Sequence, residues 1–314
     1  MIYFRNKKIL VAGGSGLVGA NFVSILNKLK SKVEASFFTN IKKGKIFKKF
    51  NFLKISDCLK ATKKKDIVFL CVSKSSGIKS LEKNYVIENL NNITLILNLI
   101  EACRINKVKK VLWISSGTVY QPSKTIISEN QMNMNLDPYP VYYGVGWSFR
   151  YLEKVIGHYN YKYNMDIKII RTSSIYGPND NFDNEKSHVI PALIKKALKK
   201  SKTLDVWGKK NTVRDFVFVE DLIIASLRLI KKNKINYALN FSSGKATTIF
   251  NLIKIIFKVL KINKKIKFTN AKRVSANHLV LNNKKINSII NFSSRTHLSA
   301  GIEKTIKWYQ ENVK

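Results

Sequence analysis

The chain has 314 residues, 45% of them hydrophobic, which is enough for two modest domains or for one large α/β domain with an appended lobe. Its opening, "MIYFRNKKILVAGG", runs straight into a strand and a glycine turn without a secretory leader. No apolar run approaches a membrane span, so a soluble cytoplasmic protein is expected. Cys58, Cys71 and Cys103 lie far apart without paired metal-type spacing, which argues against a disulfide framework or a metal site and for buried free thiols.

The 57 Lys and Arg against 19 Asp and Glu leave a formal net charge of +38. Such a field attracts anions, nucleic acid and anionic lipid included. The lysines are scattered through every segment, with no basic tail and no block interleaved with aromatic residues, so no specific nucleic-acid partner is expected. The charge reads as a solvated surface that also favours an anionic substrate.

In chain order, Ile9 to Ala12 form a short strand, and Leu17, Val18, Phe22, Ile25 and Leu26 recur at helical spacing after a glycine turn. Residues 32–38 and 66–72 read as further strands, the second continuous in hydrophobicity as a strand buried on both faces should be. A long helix is predicted over 82–105, then the strand "VKKVLWISS", a helix from Tyr143 to about Asn160, and the strand "DIKIIRTSSIYGP". Beyond it come the helical stretches "VIPALIKKALKK" and "TTIFNLIKIIFKVL", a short strand pair near "TLDVWG" and "VRDFVFV", and a last helix, "LSAGIEKTIKWYQENV". Strands alternating with helices imply parallel βαβ units and a doubly wound α/β sheet of the Rossmann kind. Residues 1–176, with a later return near 212–240, are expected to build it, and 177–314 mainly a smaller, interleaved lobe.

Gly13, Gly16 and Gly19 form G-x-x-G-x-x-G directly after a strand and at the start of a helix, where main chain can approach a pyrophosphate and helix N–H groups can face its charge. The second strand ends in Thr39 and Asn40 followed by lysines, with neither an acid to favour NAD nor an arginine to claim a 2′-phosphate. NAD and NADP both stay open.

Further on, "WISSGTVY" places Ser116 at a strand end, with Tyr143 following 27 residues later. Here the chain resembles the extended short-chain dehydrogenase/reductases, the nucleotide-sugar epimerase, dehydratase and reductase family. The likeness narrows toward the GDP-L-fucose synthase branch through five segments in order: "VSKSSGI" (72–78), "IYGPNDNF" (175–182), "SHVIPALIKK" (187–196), "DVWG" (205–208) and "VRDFVFVEDL" (213–222).

The resemblance implies an NAD(P) cofactor, a GDP-linked sugar substrate, and a homodimer paired through the two long helices. It implies that Ser116 and Tyr143 hold the sugar's C4 oxygen, with Tyr143 as acid/base, and that His188 is a general acid in epimerisation. Gly13, Gly16, Leu17, Val18 and Gly19 would bind the cofactor with Asn92 and Trp147. Ser174, Val189, Lys196, Trp207 and Arg214 would line the nucleotide sugar, Arg214 as a bidentate phosphate ligand.

Two positions depart from the family pattern. Thr118 stands where the epimerase cysteine is expected, and a threonine hydroxyl is a poor base for lifting a proton from carbon. Trp147 stands where Y-x-x-x-K requires a lysine, and an indole has one N–H donor and no charge. Three explanations compete: Arg150 supplies charge one turn further on, the oxidised nicotinamide supplies it, or fast proton transfer is lost. Tyr120 and Lys124 also show the Y-x-x-x-K spacing in "YQPSK", but they precede the active-site helix, and Tyr142 leads only to Gly146.

The preferred expectation is hydride transfer at C4 of a GDP-linked, 4-keto sugar. The rivals are a cofactor-regenerating epimerase, a GDP-hexose or GDP-heptose 4-dehydrogenase, and a catalytically impaired dinucleotide-binding protein.

Overall fold

The computed structural model describes residues 2–38, 44–73, 85–183, 187–269 and 277–313. After a 3-10 turn at Ile2–Phe4, its first half runs β1 (Lys8–Ala12), α1 (Leu17–Lys28), β2 (Lys32–Phe37), β3 (Phe47–Lys49), α2 (Ile55–Thr62), β4 (Ile67–Leu70), α3 (Tyr85–Ile105), β5 (Lys110–Ser116), α4 (Tyr143–Lys162) and β6 (Ile167–Thr172). The second half runs β7 (Ser174–Tyr176), α5 (Val189–Leu198), β8 (Thr203–Trp207), β9 (Val213–Arg214), β10 (Phe216–Phe218), α6 (Val219–Leu229), β11 (Ala238–Phe241), β12 (Thr247–Thr248), α7 (Ile249–Leu260), β13 (Lys265–Thr269), β14 (His278–Leu279), α8 (Lys284–Ile290) and α9 (Leu298–Asn312).

Seven strands form one sheet in the order β11-β6-β5-β4-β1-β2-β3, every neighbouring pair parallel. The chain order reverses between β1 and β4, so their carboxyl ends diverge into a crevice, where ligands of open α/β sheets bind. β4 is buried throughout, as its unbroken apolar run requires. One face of the sheet packs Leu99, Trp113, Leu152 and Ile156 beneath α3 and α4, and the other packs Phe22, Phe69 and Leu222 beneath α1 and α6. A third core, with Ile190, Ile194, Leu252 and Ile302, lies among α5, α7 and α9.

Two strand expectations differ from what forms. "DIKIIRTSSIY" divides at Ser173, β6 belonging to the large sheet and β7 pairing with β10. The expected pairing of "TLDVWG" with "VRDFVFV" is replaced: β8 pairs with β13, and β9 lies between β12 and β14. Asp215 explains the break. It turns inward between β9 and β10, fully buried, and accepts hydrogen bonds from Ser243 and from the N–H of Gly244. Burial raises its pKa against the pull of those hydrogen bonds.

β6 is buried along its whole length although it carries Lys168 and Arg171. Lys168 pairs with Asp166, and Arg171 forms a bidentate pair with Glu153 on α4. Burial opposes the Arg171 charge, the Glu153 carboxylate overcomes it, and the net shift is upward. Glu153→Leu leaves a buried, uncompensated guanidinium and should cost about 3–5 kcal/mol, read as a lower urea midpoint. Burial also pushes all three thiols up, Cys58 to about 12. The native protein should therefore resist a thiol reagent at mildly alkaline pH and react fully once unfolded.

Candidate active site

At the end of β1, Gly13 adopts φ +84°, and a Cβ there would stand 2.7 Å from the Cys71 carbonyl oxygen beyond β4. A Cβ on Gly19 would lie 2.1 Å from the Gly13 carbonyl oxygen, so helix and turn touch main chain to main chain. Gly16 caps α1, whose first residues, Leu17 and Val18, present N–H groups that no earlier turn can satisfy. No acidic side chain lies in that first turn. This concave, main-chain-lined end of β1 and β4 fits a pyrophosphate.

The turn is held by a residue the glycine spacing does not reveal: Ser36 on β2 accepts the Gly13 N–H at 2.8 Å. Asn21 on α1 donates to the carbonyls of Leu17 and Pro178, both at 2.8 Å, and so ties the turn's helix to the start of the second lobe. The expectation placed on Thr39 and Asn40, and most of "VSKSSGI" (74–78), fall outside the described residues.

Ser116 closes β5, directly across from Thr172 at the carboxyl edge of the sheet. It caps the 3-10 turn Gly117–Val119, its Oγ accepting from Thr118 N–H at 3.2 Å and from Thr118 Oγ1–H at 3.0 Å. Both contacts use Ser116 as acceptor and leave its own hydroxyl proton to donate. Tyr143 is the first residue of α4 and is half exposed. Asn92 lies buried on α3.

Trp147 donates its indole N–H to Asp137 Oδ1 at 2.9 Å. The Arg150 guanidinium lies 4.6 Å over the indole ring, 1% exposed, and donates to the carbonyls of Val119 at 2.7 Å and Leu136 at 2.5 Å. The charge of Arg150 is thus directed into main-chain carbonyls beneath Trp147. Tyr120, the alternative tyrosine, is fully buried and hydrogen-bonds Asn240 and Arg171 at 2.7 and 2.8 Å, a core role.

In the second lobe His188 caps α5, exposed, with Nδ1 3.8 Å from Asp180 Oδ1. Asp180 is buried, and the same oxygen accepts the Asn181 N–H. Val189 opens α5 and Lys196 sits in its last turn. Lys196 reaches the Asp205 carbonyl at 2.9 Å and lies 5.4 Å over the exposed ring of Trp207, so these side chains form one wall. Ser174 opens β7, its N–H on the Asp215 carbonyl. Arg214, on β9, is buried, with Nη1 on the Val213 carbonyl.

Among the described residues no group of three His, Cys, Asp or Glu could hold a metal, and no helix is long and apolar enough to cross a membrane.

A doubly wound sheet with a glycine cradle at its switch point, and a serine and a tyrosine at its carboxyl edge, defines a dinucleotide-binding enzyme. The sequence matches the NAD dependent epimerase/dehydratase family over residues 9–240, and the chain belongs to that family. It is 26% identical to the dTDP-4-dehydro-6-deoxy-D-allose reductase of a Streptomyces species, covering 98% of this chain and 97% of that protein. It is also 26% identical to the GDP-L-fucose synthase of Sinorhizobium fredii, covering 100% and 98%. Among solved structures it is similar to UDP-glucose 4-epimerase from Thermotoga maritima, with UDP-glucose, at a TM-score of 0.87, 19% identity and coverage of 98% and 100%.

Gly19→Ala puts a methyl group against the Gly13 carbonyl and should weaken NADH or NADPH binding about tenfold or more without unfolding the chain, as calorimetric titration and circular dichroism would show.

Proposed function

We propose that this enzyme moves hydride between NAD(P) and C4 of a GDP-linked sugar, in the direction that reduces a 4-keto group. The glycine cradle with Leu17 and Val18 holds the cofactor's pyrophosphate, and Asn92 and the ring of Trp147 lie on its nicotinamide side. The nicotinamide, when bound, supplies the hydride. Tyr143 gives the proton to the C4 oxygen as that oxygen gains charge, and Ser116 steadies it with its remaining hydroxyl proton. Ser174, Val189, Lys196, Trp207 and Arg214 line the nucleotide sugar, with Arg214 and Lys196 complementing the diphosphate.

The observation that carries the reading is the Thr118 hydroxyl donating to Ser116 at 3.0 Å. A neutral hydroxyl committed to the catalytic serine is no base for a ring carbon. Reduction at C4 therefore proceeds without epimerisation at C3 and C5, and His188, beside Asp180, serves substrate binding or proton supply on the other side of the sugar.

Incubation with GDP-4-keto-6-deoxymannose and NADPH or NADH in deuterated water tests this. Oxidation of the cofactor without deuterium at C3 or C5 is expected. Deuterium at both carbons would identify an epimerising reductase, and, with a GDP-hexose carrying a C4 hydroxyl in place of the keto sugar, C4 inversion without net cofactor turnover would identify a cofactor-regenerating epimerase. Tyr143→Phe should lower turnover about a hundredfold or more while dinucleotide binding persists.

The exposed Val86, Ile87 and Leu90 on α3 and Tyr151 on α4 support pairing of two chains through these helices. Light scattering should give the mass of a homodimer.

A further inference from the structure

Arg150 is buried, yet among the described residues no carboxylate stands within ion-pair distance of it. Burial drives its pKa down, Asp137 opposes that, Arg171 reinforces it and Glu153 opposes it again. Nε and Nη1 reach carbonyls and the indole face covers the group, while Nη2 is buried with no hydrogen-bond partner among the described residues. Such a cation is expensive to keep, so its geometry is the feature to explain.

The two carbonyls it holds belong to the segments on either side of the reacting groups. Val119 ends the 3-10 turn that Ser116 caps and that contains Thr118. Leu136 lies in the stretch that leads through the 3-10 turn Pro140–Tyr142 to Tyr143. Asp137, next in chain, takes the Trp147 indole N–H. Between them α4 is pressed into direct contact: a Cβ on Gly146 would stand 2.6 Å from the Pro138 ring and 2.7 Å from the Thr118 carbonyl oxygen.

We propose that Asp137, Trp147 and Arg150 form a clamp that positions the Ser116–Thr118 turn against Tyr143, so that the helix position one turn after the tyrosine holds protein main chain in register instead of donating to the cofactor. The sole donor of Trp147 is committed to Asp137 and is not offered to a ribose hydroxyl. Arg150, 1% exposed, has no open surface to offer a substrate or cofactor. It acts through Trp147 and two carbonyls, and is a positioning residue. The clamp rests on the reading above only for the identity of Ser116 and Tyr143 as reacting groups.

The test uses the whole chain with Arg150→Met, Arg150→Lys and, as a surface substitution that does not threaten folding, Asp137→Ala. In hydrogen exchange read by mass spectrometry, Arg150→Met should speed exchange about tenfold in peptides covering 117–122 and 132–142, with β1 and α1 unchanged. Asp137→Ala, which removes the acceptor, should do the same over 132–142 and, read by NMR, speed exchange of the Trp147 indole N–H. In steady-state kinetics Arg150→Met should lower kcat about tenfold or more, with KM and dinucleotide Kd within about twofold, and Arg150→Lys should recover part of the loss. Exchange unchanged in both segments, or raised evenly over the whole chain with kcat per folded molecule unchanged, would overturn the clamp. If the natural chain turns over no nucleotide sugar, the functional reading fails, while the exchange measurements still decide whether the clamp exists.

Discussion

The buried pair of Glu153 and Arg171 is the interaction on which the site depends. Glu153 sits on α4, ten residues and nearly three turns after Tyr143, and its carboxylate takes Arg171 from β6 together with the Ser115 hydroxyl from β5 at 2.8 Å. Arg171 continues to Tyr120, and Tyr120 to Asn240 on β11. One connected network therefore locks the tyrosine helix to three adjacent strands immediately below Ser116. In a low-dielectric interior such a network tolerates few alternative arrangements, because any shift leaves a charge or a donor unpaired. Precision at the carboxyl edge follows from satisfaction beneath it.

A second constraint joins the two lobes. The glycine turn brings α1 so close to β1 that Asn21 reaches the Pro178 carbonyl. From there the chain passes Gly177 at φ +150° and Asn179 at φ +67° to the buried Asp180 beside His188. The glycine turn and the stretch around Asp180 are thus connected through the Asn21 side chain, and a Cβ on Gly177 would stand 2.6 Å from the Val219 side chain. Of the cations drawn inside, Lys168 pairs with Asp166, which Lys110 also approaches at 3.5 Å, and Arg171 pairs with Glu153, whereas Arg150 is met by main-chain carbonyls.

Much of this was legible in the amino-acid order. The glycine spacing after an apolar strand, the runs buried on both faces and the helical recurrence of apolar residues report local geometry, and β1, α1, β4, α3, β5 and α4 all form where those patterns lie. The ordering of Ser116 and Tyr143 at the ends of a strand and a helix was legible for the same reason. Less was visible where one segment serves two sheets. Asp215 divides a run that reads as a single strand, because its carboxylate finds Ser243 and Gly244, some 28 residues away. The partner of β8 is likewise β13, distant in the chain.

The sequence by itself determined the fold class, the glycine turn after β1 and the residue types available for chemistry, since these rest on periodicity and on backbone conformations that only glycine adopts freely. It also determined that a threonine and a tryptophan stand where a thiol and an ammonium were expected. What those two residues do was decided only in three dimensions. Thr118 points its proton at Ser116, and Trp147 gives its N–H to Asp137 while Arg150 lies across its face. The close packing of α4 at Gly146 against Pro138 and the Thr118 carbonyl fixed which acceptors stand beside each donor, and that contact joins segments too far apart in the chain for local patterning to report.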